Sequence, residues 1–245
     1  MFPIVHHRIN KALYPDTSPL IILGALYPDM ASTSGYNRNE AHTMGDTFAA
    51  WCKINAPWGI DLAKGIISHG CNPYGVDYYS DEFWPGGEKG WCFQQGVPWM
   101  PEVARTTNLP ENLIWWKAHN FVEMSLELIM IDQDNDLNSD ILKAVDDHGA
   151  VKEVAQLLAA YAGLDESKIE YAYNMVPEVF ALEEVSPQYL ATRQGRAYRL
   201  RHQVYDYDEE QMAELLRLMS ISLLETALPF SEQLEKLVSE TLTKY

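Results

Sequence analysis

Apolar residues recur at helical spacing through most of the chain. "ILKAVDDHGAVKEVAQLLAAYAG" (Ile141–Gly163) has the three-and-four periodicity of an amphipathic helix, with Ser139 as its N-cap and Gly163 as its stop. "QMAELLRLMSISLLETAL" (Gln211–Leu228) and "SEQLEKLVSETLTKY" (Ser231–Tyr245) repeat the pattern, and Pro229 predicts a break between them. "PQYLATRQGRAYRLRHQVY" predicts another helix. Upstream, "SPLIILGALYPD", "EAHTMGDTFAAWCKI" and "PENLIWWKAHNFVEMSLELIMI" also have helical periods. No alternating strand run or Asn-Gly hairpin stands out. Gly70–Pro110, rich in Gly, Pro and Trp, lacks a period but has aromatic side chains to bury, which predicts an ordered excursion rather than disorder. The expected fold is therefore all-α, a single domain over residues 1–245, with a long ordered loop over one face.

Composition refines this picture. The chain has 245 residues and a net charge of −17, of which residues 123–245 carry −14. Such acidity repels long nucleic acids and anionic lipid surfaces. No window reaches 18 consecutive apolar residues, so no membrane span is expected. The start, "MFPIVHHRIN", lacks the layout of a signal peptide. Three cysteines without CxxC spacing indicate reduced thiols, and the expected location is cytoplasmic. All seven tryptophans and five of seven histidines lie at or before His119. Chemistry is therefore expected in a metal-site half, 1–130, backed by a helical half, 131–245.

The clearest chemical pair is His119 and Glu123, which share a helix face at i, i+4 and can hold one cation. The apolar Phe121, Val122, Met124 and Leu126 around them favour a partnered, buried charge. Asp29 follows Pro28 at the end of an apolar run, where a capping role is the simple alternative. His42 stands near the start of its helical stretch, and His69 ends "LAKGIISHG". Asp77 and Asp81 are i, i+4 if "GVDYYSDE" is helical, and of the adjacent His6 and His7 only one can face inward.

In their order, these residues resemble the zinc-dependent phospholipase C and P1/S1 nuclease superfamily. Its ligands run as an N-terminal residue, an early His, an Asp, a His about fourteen residues on, a His-x-x-x-Asp with a further His, and a closing His-x-x-x-Glu/Asp. His6 matches the early His, Asp29 in "GALYPDM" the Pro-Asp element, His42 the next His, and His119 with Glu123 the closing pair. The resemblance covers roughly residues 4–130. The middle element departs from it: Pro73 stands four residues after His69, and the first acid is Asp77. An insertion, "NPYG", would reconcile the two and give Asp77 the bridging role. The family's further His is absent, and Asp81 or Glu82 would take its place. Met1-Phe2 offers no processing site for an N-terminal ligand.

The resemblance implies an all-helical fold of that type and a metal-dependent phosphoesterase. In it, two zinc ions, or three with an N-terminal ligand, would be held by His6, Asp29, His42, His69, Asp77, Asp81, His119 and Glu123. Asp29 would double as general base, and the substrate would be a small phosphodiester, phosphomonoester or phospholipid-like molecule. The aromatic segment Tyr74–Trp99 would shape the entrance. The alternative is a catalytically inactive helical binding or scaffold protein with at most one structural metal, which the altered middle motif motivates. A calcium loop in "DQDNDLNSDILK" fails, because Leu137 replaces the required Gly and Lys143 the closing Glu.

Overall fold

The computed structural model describes residues 3–245, and among them every regular element is helical. The first half comprises α1 (Pro3–Leu13), α2 (Pro19–Ser34), α3 (Arg38–Ala41), α4 (Gly45–Asn55), α5 (Ile60–His69), α6 (Trp91–Gly96), α7 (Met100–Thr107) and α8 (Glu111–Gln133). There follow α9 (Leu137–Asp146), α10 (His148–Ala162), α11 (Glu166–Asn174), α12 (Val176–Phe180), α13 (Pro187–His202) and α14 (Glu209–Leu242). No described helix is long and apolar enough to cross a membrane.

A single hydrophobic cluster runs from Ile4 to Leu242 and draws on both halves of the chain. Its axis is α8, where Phe121, Val122 and Met124 are fully buried. α14 and α6 both pack on α8, and α1 bridges α8, α2 and α9. α2 and α5 cross closely, and α11 closes over α2. The closeness has a sequence origin. A Cβ at Gly24 would run into the Leu62 carbonyl oxygen, and one at Gly65 into that of Ile21. Two glycines face to face let the backbones of α2 and α5 touch, and this sets the spacing of the side chains at their ends.

Several elements depart from the hydrophobic pattern, each for a local reason. The stretch 141–163 forms two helices. Asp147 breaks it and caps α10 by accepting from the Ala150 N–H, while Ser139 lies inside α9. Gly163 does stop the helix, in the left-handed region at φ 69°. Pro229 does not interrupt α14, which runs 34 residues through it. The apolar stripe Ala227, Phe230, Leu234 and Val238 remains in register on one face, and its burial outweighs the one backbone bond that proline removes.

α2 continues through Pro28 and past Asp29 to Ser34, ending at Gly35 with φ 88°, so Asp29 is a helical residue rather than a terminal cap. Glu40–Ile54 divides into α3 and α4, which leaves His42 at the junction. α13 stops at His202, with Gln203 left-handed at φ 56°. The segment 70–110 is not a loop. It holds a wide, π-type turn (Tyr78–Glu82), α6, a 3-10 turn (Val97–Trp99) and α7. These pieces are too short, and too often punctuated by Gly and Pro, to show a period in the sequence. They hold their shape by burying Trp84 and Trp91, both packed on Phe230.

Candidate metal centre

Five of the candidate residues converge from four helices and the turn after the last of them. His6 comes from α1, Asp29 from α2, His42 from the end of α3 and His69 from the last residue of α5. Asp77 comes from the turn that follows, where the chain loops out through Cys71–Tyr74 and resumes a helical course at Val76. His6 Nε2 lies 3.3 Å from Asp77 Oδ1, while His42 and His69 Nε2 lie 3.2 and 3.3 Å from Asp77 Oδ2. Asp29 sits opposite, 3.6 Å from His42 Nε2 and 3.8 Å from His69 Nε2. The rings of His6 and His69 stack at 3.9 Å. His6 with Asp29 and His69, and His42 with His69 and Asp77, are each placed to hold a metal ion.

The backbone decides which nitrogen faces inward. His42 Nδ1 donates to the Arg38 carbonyl at 2.7 Å, and His69 Nδ1 donates to the Ala25 carbonyl at 2.6 Å. With Nδ1–H so engaged, a neutral ring turns a bare Nε2 lone pair into the cluster. The two Nε2 atoms are only 3.3 Å apart and face two carboxylates. Lone pairs so arranged repel unless a cation, either a proton or a metal ion, stands among them. The donor set, imidazole nitrogen and carboxylate oxygen, is that of a divalent transition-metal site.

A second group stands one helical turn away. Asp81 Oδ1 and Glu123 Oε1 lie 2.8 and 3.4 Å from His119 Nε2, and these three are again placed for a metal ion. Ser80 donates to Asp81 at 2.6 Å and Asn120 to Glu123 at 3.3 Å, while Phe93 stacks on the His119 ring at 4.1 Å. A small cavity lined by His6, Asp77, Ser80, Cys92 and Glu123 lies between the two groups.

Electrostatics follow from this crowding. Burial opposes ionisation of Asp29 and Asp77, but hydrogen bonds and charge from His42 and His69 outweigh it and hold both carboxyls well below their ordinary range. Burial also opposes charge on His42, yet Asp29 and Asp77 raise it to about 9. Burial and the His69 charge lower His6 to about 4. Burial raises Glu123 to about 7 despite His119 beside it. The Cys92 thiol, pushed far up by burial and the nearby carboxylates, stays protonated and is a poor ligand.

Some sequence expectations need correction. His6 and His7 are both buried, at 3% and 2% exposure, because α1 is packed on two sides. His6 turns to the metal groups and His7 to Asp140, 3.6 Å away. The tryptophans Trp84 and Trp91 of the aromatic segment are core residues rather than an entrance, and Tyr74 stacks on Tyr78. Glu82 pairs with Lys89 at the surface, apart from both groups. The N-terminal ligand falls on residues 1 and 2, outside the described residues.

Two supporting residues escaped the sequence reading. Arg38 donates to Asp29 Oδ1 at 3.0 Å. Glu127, buried at 1% exposure, accepts from the Ile4 N–H at 3.3 Å and lies 3.8 Å from Arg193 Nη1, so it ties α1 and α13 to α8. Glu127 did have a signal, since it continues the four-residue step from His119 to Glu123. The open side of the second group leads into a cavity of about 630 Å³ walled by α8, the 175–181 segment and α13. Comparisons with protein-family models, curated proteins and solved structures find no match to the chain.

Proposed function

We propose that the protein is a metal-dependent phosphoesterase of the zinc phospholipase C and P1 nuclease type. The observation that carries this reading is the meeting of three imidazole Nε2 atoms and two ionised carboxylates in one buried cluster, with a second His/Asp/Glu group a helical turn away. His6, Asp29, His42, His69 and Asp77 would hold the first divalent ion, and Asp81, His119 and Glu123 the second. A pair of such ions supplies Lewis acidity and an activated water for attack on a phosphorus ester.

The chain's own residues provide the rest. Asp77 spans the first cluster with both oxygens engaged, and its position next to Asp81 fixes the two groups relative to each other. The carbonyls of Arg38 and Ala25 hold two imidazoles in the ligating tautomer. Asp29, kept ionised by His42, His69 and Arg38, is the carboxylate assigned to the proton of the attacking water. A carboxylate held so far down is a weak base, so its larger effect would be to orient that water. Arg38 is half-exposed at the cavity and would meet an oxygen of the phosphate.

Elemental analysis of protein purified without chelator, paired with hydrolysis of bis(4-nitrophenyl) phosphate, tests this reading. Two or more zinc ions per chain, with turnover abolished by chelation and restored by zinc, is the expected result. A single inert metal, or none, would overturn the phosphoesterase reading and leave the scaffold reading.

A further inference from the structure

The 630 Å³ cavity beside the second group is basic, in a chain of net charge −17. Its lining carries five cationic side chains, Arg38, Lys117, Arg193, Arg196 and Arg201, against two carboxylates, Asp81 and Glu178. Three of the five cations are committed. Arg38 is bound to Asp29, Arg193 faces Glu127 and donates to the Phe180 carbonyl, and Arg196 pairs with Glu178 at 2.5 Å.

Lys117 and Arg201 differ from these. Neither has an ion pair among the described residues, although Lys117 is buried at 9% exposure and its ammonium lies 5.8 Å from the Tyr198 ring centre. Both line the same cavity, and Glu123 is the carboxylate whose charge reaches Lys117. Two cations that line one cavity without an ion pair, one of them withdrawn from water, make a site that an anion completes. Trp116, its ring 5.3 Å from that of His119, and Val179 and Tyr189 leave 45%, 38% and 37% of their surface exposed, which gives the cavity apolar surface as well.

We infer that the cavity takes a phosphoester with a second anionic group, its phosphorus end at Asp81 and His119, its apolar body against Trp116, and its distal anion between Lys117 and Arg201. The placement of the phosphorus end rests on the phosphoesterase reading, whereas the distal site stands on Lys117 and Arg201 alone. A phosphoester whose only charge is its phosphate leaves this pair unanswered and is the poorer ligand.

Two non-hydrolysable probes, benzylphosphonate and 4-carboxybenzylphosphonate, distinguish these cases by calorimetry on the zinc-loaded protein. The carboxylated probe is expected to bind about tenfold more tightly, the effect of one charge-assisted hydrogen bond. Lys117→Met and Arg201→Gln should each remove most of that preference. Arg201 is solvent-exposed, so its variant keeps the test open should Lys117→Met fold poorly. Equal affinity for the probes, no binding of either, or a preference that survives both substitutions would overturn the inference. Should bis(4-nitrophenyl) phosphate not be hydrolysed while the preference persists, the catalytic reading fails and the distal anion site stands.

Discussion

Asp77 and Asp81 lie four residues apart on one helical turn, yet they face different sets of histidines. Asp77 meets His6, His42 and His69 at 3.2–3.3 Å, whereas Asp81 meets His119 at 2.8 Å. One turn of chain therefore connects both candidate metal groups. Asp77→Asn is expected to empty the first group and abolish phosphoester hydrolysis, while Asp81→Asn empties only the second. A metal at a hundred times its dissociation constant adds about 3 kcal/mol, on the order of 5–10 °C for a chain of this size. Zinc content and the zinc-dependent rise in melting temperature measure the difference. Equal metal loss in both variants would show that the groups are not separable.

The crossing of α2 and α5 sets the distance between Asp29 and His69, because Gly24 and Gly65 leave no room for a Cβ. Gly24→Ala and Gly65→Ala are each expected to cost about 1–3 kcal/mol through overpacking of rigid backbone. The same displacement moves Asp29 and the Ala25 carbonyl, which holds His69 Nδ1, so zinc affinity of the first group should fall with stability. Neither glycine touches a candidate ligand through a side chain. Denaturant unfolding without metal and zinc titration read the two effects separately. A destabilised variant with unchanged zinc affinity would refute the coupling.

Pro229 lies inside α14 with its ring exposed. A proline in a helix interior costs about 3 kcal/mol relative to alanine, part of which it returns by restricting the unfolded chain. Pro229→Ala should therefore raise stability by about 1–3 kcal/mol without altering metal content. Chemical denaturation measures the gain, and an unchanged or lowered midpoint would mean that the helix depends on the proline's shape.

Residues whose partners are close in sequence were easiest to read. The period of α8 and the pairing of His119 with Glu123 come from one helix, and both are evident from spacing alone. The meeting of Asp29 with His69 depends on Gly24 and Gly65, which look unremarkable in a linear pattern. Phe230 carries α14 through Pro229 by packing against Trp84 and Trp91, partners about 140 residues away. The same long-range packing made Trp84 and Trp91 look like entrance residues when they are core. Lys117 and Arg201 gave no signal at all, since they line one cavity only once α13 lies beside α8.

Protonation of His42 connects the first group to pH. In the metal-free protein, Asp29 and Asp77 raise His42 from 6.5 to about 9 against the opposing effect of burial. A histidine raised on folding contributes stability that is fully present below about pH 6.5 and lost as pH rises through 9, about 3 kcal/mol at most. Asp29 and Asp77 act in the opposite sense. Their folded values lie below the ordinary 3.8, so their contribution is present above that pH and lost on acidification. His42 and the two aspartates together thus favour the window between about pH 4 and 6.5, and their contribution declines on either side of it. Zinc needs the neutral ring, so binding near pH 7.5 must displace the His42 proton. In the Asp81→Asn protein, where only the first group binds, zinc should release about one proton at pH 7.5 and about half a proton at pH 9. Calorimetry in two buffers of different ionisation enthalpy counts these protons. A release that is absent at pH 7.5, or equal at both values, would mean that His42 is not a ligand of that ion.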